Sequence, residues 1–150
     1  MKHLSNPPRR TYYFAGSIRG GREDVARYRE IIEWLQGSGD VLTEHVGDYS
    51  LSLKGQTHLD DTFIHDRDLG WLRRADCVVA ETTHTSLGVG YEIAMAATYQ
   101  IPVFALHRAE ESSLSAMIGG CASVTVIEYS DVDEALAQLD KIMSARLEAA

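Results

Sequence analysis

The chain has 150 residues, 45% of them hydrophobic and 24% charged, proportions that suit a soluble globular protein with one well-developed core. A formal charge of −8 repels polyanions, so a role gripping a DNA or RNA backbone is disfavoured, while a small phosphate held by local amides remains compatible. No apolar run approaches the roughly 20 residues that cross a bilayer, and Cys77 and Cys121 show no zinc-type spacing and read as two reduced thiols.

Residues 1–10, MKHLSNPPRR, lack the apolar centre of a signal peptide. They are expected to form a flexible tail on a cytoplasmic protein, or a nuclear one in a eukaryote. A single domain over 11–150 follows. Thr11–Ala15 (TYYFA) is a β-rich run that ends in GSIRGG. Val25, Tyr28, Ile31, Ile32 and Leu35 then recur at helical spacing, and Gly37 and Gly39 punctuate the end of that helix. Asp40–Val46 reads as a second strand and 47–59 as a polar loop that could shape the choice of ligand. A helix is expected over Asp60–Ala75, a strand at DCVVAE, a helix over Gly90–Tyr99 and a strand at IPVFAL. A short helix near SSLSAMIGG, a strand at SVTVIEY and a helix over Asp131–Leu147 complete the chain.

Five alternations of strand and helix argue for an α/β fold, a doubly wound (Rossmann-like or flavodoxin-like) five-stranded parallel sheet with helices on both faces. Ligands of such sheets bind beyond the carboxyl ends of the strands, where strand order reverses. GSIRGGRED and SLGVGYE both follow strands and open helices, so they should share one crevice. Helix N-termini attract anions through unpaired N–H groups. Gly16 permits close backbone approach, Ser17 offers a hydroxyl and Arg19 a guanidinium. Ser86 can cap its helix or contact phosphate, and Gly88 and Gly90 carry no side chains to block it. Neither loop fits a Walker motif or GxGxxG, which disfavours ATP and dinucleotides. Tight βα turns also use these residues for geometry alone.

Two carboxylates stand out. Glu92 is expected in the first turn of its helix, kept ionised beside glycine amides, as a nucleophile toward an electrophilic carbon requires. Relative to Ile64, at 100° per residue, Asp68 falls at about 40°, Leu72 at about 80°, Ala75 at about 20° and Trp71 at about −20°. Asp68 therefore sits inside an apolar stripe, where desolvation favours the protonated acid. A buried carboxylate bonded to a loop amide would account for it equally well. One charged and one protonatable carboxylate form the pair that glycosidic cleavage uses. Beside a phosphate pocket, the bond in question is the N-glycosidic bond of a nucleotide.

Between about Tyr12 and Gly120, the segments YYFAGSIRGGRED, VLTEHV, DLGWL, ADCVVAETTHTSLGVGYE and LSAMIGG resemble, in the same order, the 2′-deoxynucleoside 5′-monophosphate N-glycosidases of the nucleoside 2-deoxyribosyltransferase superfamily. The resemblance implies hydrolysis to free base and 2-deoxyribose 5-phosphate through a glutamyl glycosyl-enzyme, without metal or organic cofactor. It implies Glu92 as the nucleophile, Asp68 as the carboxylate assisting the leaving base, and Tyr13 as a hydroxyl that contacts the nucleophile and the sugar region. Gly16, Ser17, Ile18, Arg19, Gly20, Ser86 and Gly88 are implied as phosphate and sugar contacts. Ser115 is implied to reach the phosphate from the partner of a homodimer, with Met117 nearby. The alternatives are a CMP-type ribonucleotide N-glycosidase, a deoxyribosyltransferase, a nucleotide-binding sensor and a flavin-binding redox module. His45 lines the crevice or serves structure, and Glu81 is given no role beyond support.

Overall fold

A computed structural model describes residues 9–18, 24–43, 46 and 59–148. Ten elements follow in order: β1 (Arg10–Ala15), α1 (Val25–Gln36), β2 (Gly39–Val41), α2 (Asp61–Arg74), β3 (Cys77–Glu81), α3 (Leu87–Thr98), β4 (Val103–His107), α4 (Ala116–Gly119), β5 (Val124–Glu128) and α5 (Val132–Glu148). All strand pairs are parallel, in the order β2-β1-β3-β4-β5. The expected doubly wound sheet is present. Strand order reverses around β1: the chain leaves it for β2 on one side and returns to β3 on the other.

Side chains on a strand alternate between faces, and β1 sorts its aromatics accordingly. Tyr12 and Phe14 pack with α1 residues Tyr28, Ile31 and Leu35 and α5 residues Leu139 and Met143. Tyr13 and Ala15 point the other way, toward Leu72 of α2 and Val89, Ile93 and Ala96 of α3. β3 divides likewise, Cys77 and Val79 to the first layer, Val78 and Ala80 to the second. The central strands are buried on both faces, as a parallel sheet covered by helices requires.

Several boundaries differ from expectation, and three of the differences have a visible cause. β2 spans three residues rather than Asp40–Val46. At Thr43 the chain has turned, and the Thr43 hydroxyl substitutes for the ladder, accepting from the Phe14 N–H at 2.8 Å and donating to the Phe14 carbonyl at 2.7 Å. α3 begins at Leu87, three residues before the expected Gly90, because the Ser86 side chain caps it by accepting from the Val89 N–H at 3.3 Å. Arg9 and Arg10 belong to the fold rather than to a tail: Arg10 opens β1, and Arg9 donates to the Gly39 carbonyl at 2.9 Å. Residues 1–8 of the expected tail lie outside the described residues, as do 47–58 of the polar loop and His45.

Gly16, at the exit from β1, has no room for a side chain. A β-carbon there would stand 3.0 Å from the Tyr28 ring and 3.1 Å from the Phe14 ring. Those rings pack tilted against each other at 5.4 Å, so neither yields freely. Gly16→Ala is expected to destabilise the protein by about 1–3 kcal/mol through overpacking, measured by urea unfolding. Wild-type stability would show that the Tyr28 side of this turn is slack.

Candidate active site

The loop after β1 and the start of α3 face each other across a cavity of about 590 Å³. Gly16 and Ile18 line one side and Thr85, Ser86, Leu87 and Gly88 the other. Both carboxylates singled out from the sequence, Asp68 and Glu92, line the same cavity. Asp61, Ile64, His65 and Asp68 come from one face of α2, an i, i+3, i+4, i+7 pattern. The upper half of the predicted apolar stripe thus borders the cavity. Its lower half, Leu72 and the C-cap residue Ala75, enters the core.

Glu92 departs from expectation. With α3 starting at Leu87, it is the sixth helical residue and lies in the second turn, beyond the unpaired N–H groups of the helix start. Burial raises its pKa from the ordinary 4.5 to about 7; a hydrogen bond with Tyr13 opposes the rise and the charge of Asp68 adds to it. Desolvation, rather than a helix terminus, sets its charge. Tyr13, inward-facing on β1, is buried beside it, and burial followed by the Glu92 charge pushes the phenol far above its usual range. The phenol is therefore a fixed proton donor to Glu92.

Asp68 is also raised above its usual range by burial. Arg67 opposes this, with its guanidinium 2.8 Å from the Asp68 carboxylate. That cation lies over the Trp71 ring at 4.6 Å, which steadies it. At the rim, His65 joins Asp66 through Nδ1 and the Tyr91 hydroxyl through Nε2, each at 2.9 Å. Sequence reasoning used Ile64 only to define the apolar stripe and passed over His65 and Asp61, although their spacing from Asp68 places them on its helix face.

The remaining predicted residues divide. Ser17 is fully buried and does not line the cavity. Its N–H donates to the Tyr28 hydroxyl at 3.2 Å, and its own hydroxyl has no partner among the described residues. Arg19 and Gly20 lie outside the described residues. Ser115 and Met117 do not line the carboxylate cavity. They border a neighbouring groove between α3 and α4 that shares Thr85, Ser86, Leu87 and Val89 with it. Ser115 caps α4, accepting from the Met117 N–H at 3.2 Å. Among the described residues no cluster of three or more His, Cys, Asp or Glu side chains is arranged to hold a metal ion.

The family profile described as nucleoside 2-deoxyribosyltransferase matches residues 12–140. The chain belongs to that family. It is 50% identical over 124 residues to the Mus musculus 5-hydroxymethyl-dUMP N-hydrolase, covering 81% of this chain and 72% of the relative. The Rattus norvegicus 5-hydroxymethyl-dUMP N-hydrolase is 46% identical over 139 residues, 90% of this chain and 85% of the relative. The fold resembles that of the Clostridium botulinum CMP N-glycosidase BcmB, with a TM-score of 0.63 at 17% identity, over 87% of this chain and 98% of that one. It also resembles the Bacillus psychrosaccharolyticus 2-deoxyribosyltransferase, with a TM-score of 0.62 at 16% identity, over 84% and 90% of the two chains.

The raised pKa of Glu92 has a consequence for stability. Between pH 4.5 and about 7 the folded protein holds a proton that the unfolded chain releases, so stability from this group falls as pH rises through that window. Glu92→Gln removes the cost of the buried charge. It is expected to stabilise the protein at pH 8 by about 1–3 kcal/mol, a gain that fades toward pH 5. Thermal unfolding at the two pH values checks this, and an equal effect at both would contradict a desolvated carboxylate.

Proposed function

We propose that the chain, as one catalytic domain over 11–150, hydrolyses the N-glycosidic bond of 2′-deoxynucleoside 5′-monophosphates to free base and 2-deoxyribose 5-phosphate. The observation that carries the reading is two carboxylates of raised pKa in one cavity, set between two loops at the carboxyl edge of a parallel sheet. The names of the mouse and rat relatives support the same chemistry and make 5-hydroxymethyl-dUMP the first substrate to test.

In this mechanism an ionised Glu92 oxygen attacks C1′ as the bond to the base breaks, giving a glycosyl ester. Asp68 delivers its proton to the departing base. Water then attacks C1′, gives a proton back to Asp68 and frees Glu92. A charge on Asp68 raises the Glu92 pKa, and in this mechanism the active form carries one proton between the two. A base seated against Ile64 displaces water from Asp68 and strengthens its hold on that proton. The loops anchor the phosphate, whose binding energy positions the reacting bond. A 2′-hydroxyl withdraws electrons from the developing sugar cation, which favours deoxy substrates.

The homodimer belongs to this proposal. Leu87 and Met117 are 93% and 85% exposed along the α3–α4 groove, and a second copy seated there would bring its own Ser115 to the shared loop. The enzyme is placed with the nucleotide pool in cytoplasm or nucleus. No helix among the described residues is long and apolar enough to cross a membrane.

Chromatography of the base released from a panel of deoxynucleotides, ribonucleotides and free deoxynucleosides, with and without an acceptor base, tests the reading. Deoxynucleotides should be cleaved, and removing the 5′-phosphate should lower kcat/KM at least about 100-fold. kcat/KM should rise with pH through about 7 as Glu92 ionises. Glu92→Gln should lower kcat about 1,000-fold with KM little changed. Base exchange in place of hydrolysis would make the enzyme a transferase, and tight binding without turnover a sensor.

A further inference from the structure

The molecule contains a buried ionic cluster that the glycosidic chemistry leaves unused. Arg108, directly after β4, is 2% exposed. Its guanidinium donates to Glu81 at the end of β3 at 2.9 Å, to Asp24 before α1 at 2.5 Å and to the Tyr129 hydroxyl at 2.7 Å. Glu111 accepts from it through both oxygens, at 2.9 and 3.0 Å. Desolvation alone would lower the Arg108 pKa; hydrogen bonds to Glu111 and Asp24 and the charge of Glu81 outweigh it and hold the cation. With Nε, Nη1 and Nη2 all engaged, Arg108 is not available as a ligand for an anion.

The partners define what the cluster joins. Asp24 is the N-cap residue of α1, whose Tyr28 ring packs against Gly16 of one cavity wall. Thr83 and His84 open the segment that continues into Thr85, Ser86 and Gly88 on the opposite wall. Glu81 accepts from the Thr83 N–H at 2.6 Å, the Arg108 N–H donates to the Thr83 hydroxyl at 3.0 Å, and His84 Nε2 lies 3.2 Å from Asp24. Asp24, Glu81 and Arg108 are absent from the cavity lining. Burying three charges costs free energy that apolar side chains of similar volume would avoid, so stability alone gives no reason for placing them here.

We propose that the Asp24–Arg108–Glu81 cluster is a positioning device that sets the start of α1 and the Thr83–Ser86 segment against each other and thereby fixes the affinity for the 5′-phosphate. The inference rests on reading the cavity as a nucleotide site. Removing the charge of Asp24 frees the start of α1 from Arg108 and His84, the Thr83–Ser86 segment shifts, and phosphate loses its contact with that wall. The carboxylates on α2 and α3 stay where they are, so chemistry on bound substrate proceeds.

The experiment is calorimetric titration of inorganic phosphate into wild type and Asp24→Asn, with KM and kcat for the best deoxynucleotide alongside. The variant should bind phosphate at least tenfold more weakly, with KM rising in step and kcat within threefold of wild type. A folded variant with unchanged phosphate affinity, or one that loses kcat at constant KM, overturns the proposal. Should Asp24→Asn fail to fold, Glu111→Gln alters the cluster from its half-exposed side. It should weaken phosphate binding about threefold, and an unchanged affinity there overturns the proposal equally. Phosphate binding is read without turnover. A wild type that binds phosphate but releases no base fails as a glycosidase and leaves this inference to the titrations, whereas one that binds no phosphate overturns the inference itself.

Discussion

The reversal of strand order around β1 is the constraint on which the rest of the molecule depends. Because β2 and β3 flank β1 on opposite sides, the connection after β1 leaves for the α1 layer and the connection after β3 leaves for the α3 layer. The two diverge at the carboxyl edge of the sheet, and a cavity opens between them. Neither loop forms a pocket alone. The topology also settles which strand residue meets Glu92: β1 alternates, so Tyr13 alone of its three consecutive aromatics faces α3 and can reach that carboxyl.

Within that cavity the competition between desolvation and local partners decides the charges. The dipole of a helix start acts over its first turn, and Glu92 lies past it, so burial governs and the carboxyl becomes a weak acid. The Tyr13 phenol limits that rise because it donates to the charged form. Asp68 feels the same two influences, with Arg67 in the role of Tyr13. The two acids are therefore set apart by a neutral donor beside one and a cation beside the other.

The sequence makes the architecture legible because alternation of strand and helix leaves few arrangements of a parallel sheet. Asp68 is legible for a similar reason: helical spacing alone puts it above Leu72 and beside Ile64. The start of α3 is harder to read, since Gly88 and Gly90 carry the composition of a loop while the Ser86 cap makes them helical. That three-residue difference moves Glu92 out of the first turn and reverses the argument about its charge. β2 misleads for another reason. Its β-rich run continues past Val41, but the Thr43 side chain takes over the hydrogen bonds a longer strand would have made. The Arg108 cluster has no local signature, because its partners at positions 24, 81 and 129 come together only in the folded sheet.

The glycines separate what the fold demands from what a ligand demands. Gly16 is held small by the protein itself, since rings of the core occupy the space a side chain would need. Gly88 is different. A β-carbon there would meet only the Ser86 hydroxyl at 3.8 Å and a Glu92 oxygen at 3.9 Å, ordinary contacts that the protein tolerates. Nothing in the packing forbids a larger residue at this exposed position on the cavity wall. Its smallness fits the proposed substrate, a group of which would come close to the α3 backbone between the capping serine and Glu92. The open space at Gly88 and the crowding at Gly16 thus shape the two walls in complementary ways, one leaving room for the proposed substrate and the other holding the turn that faces it.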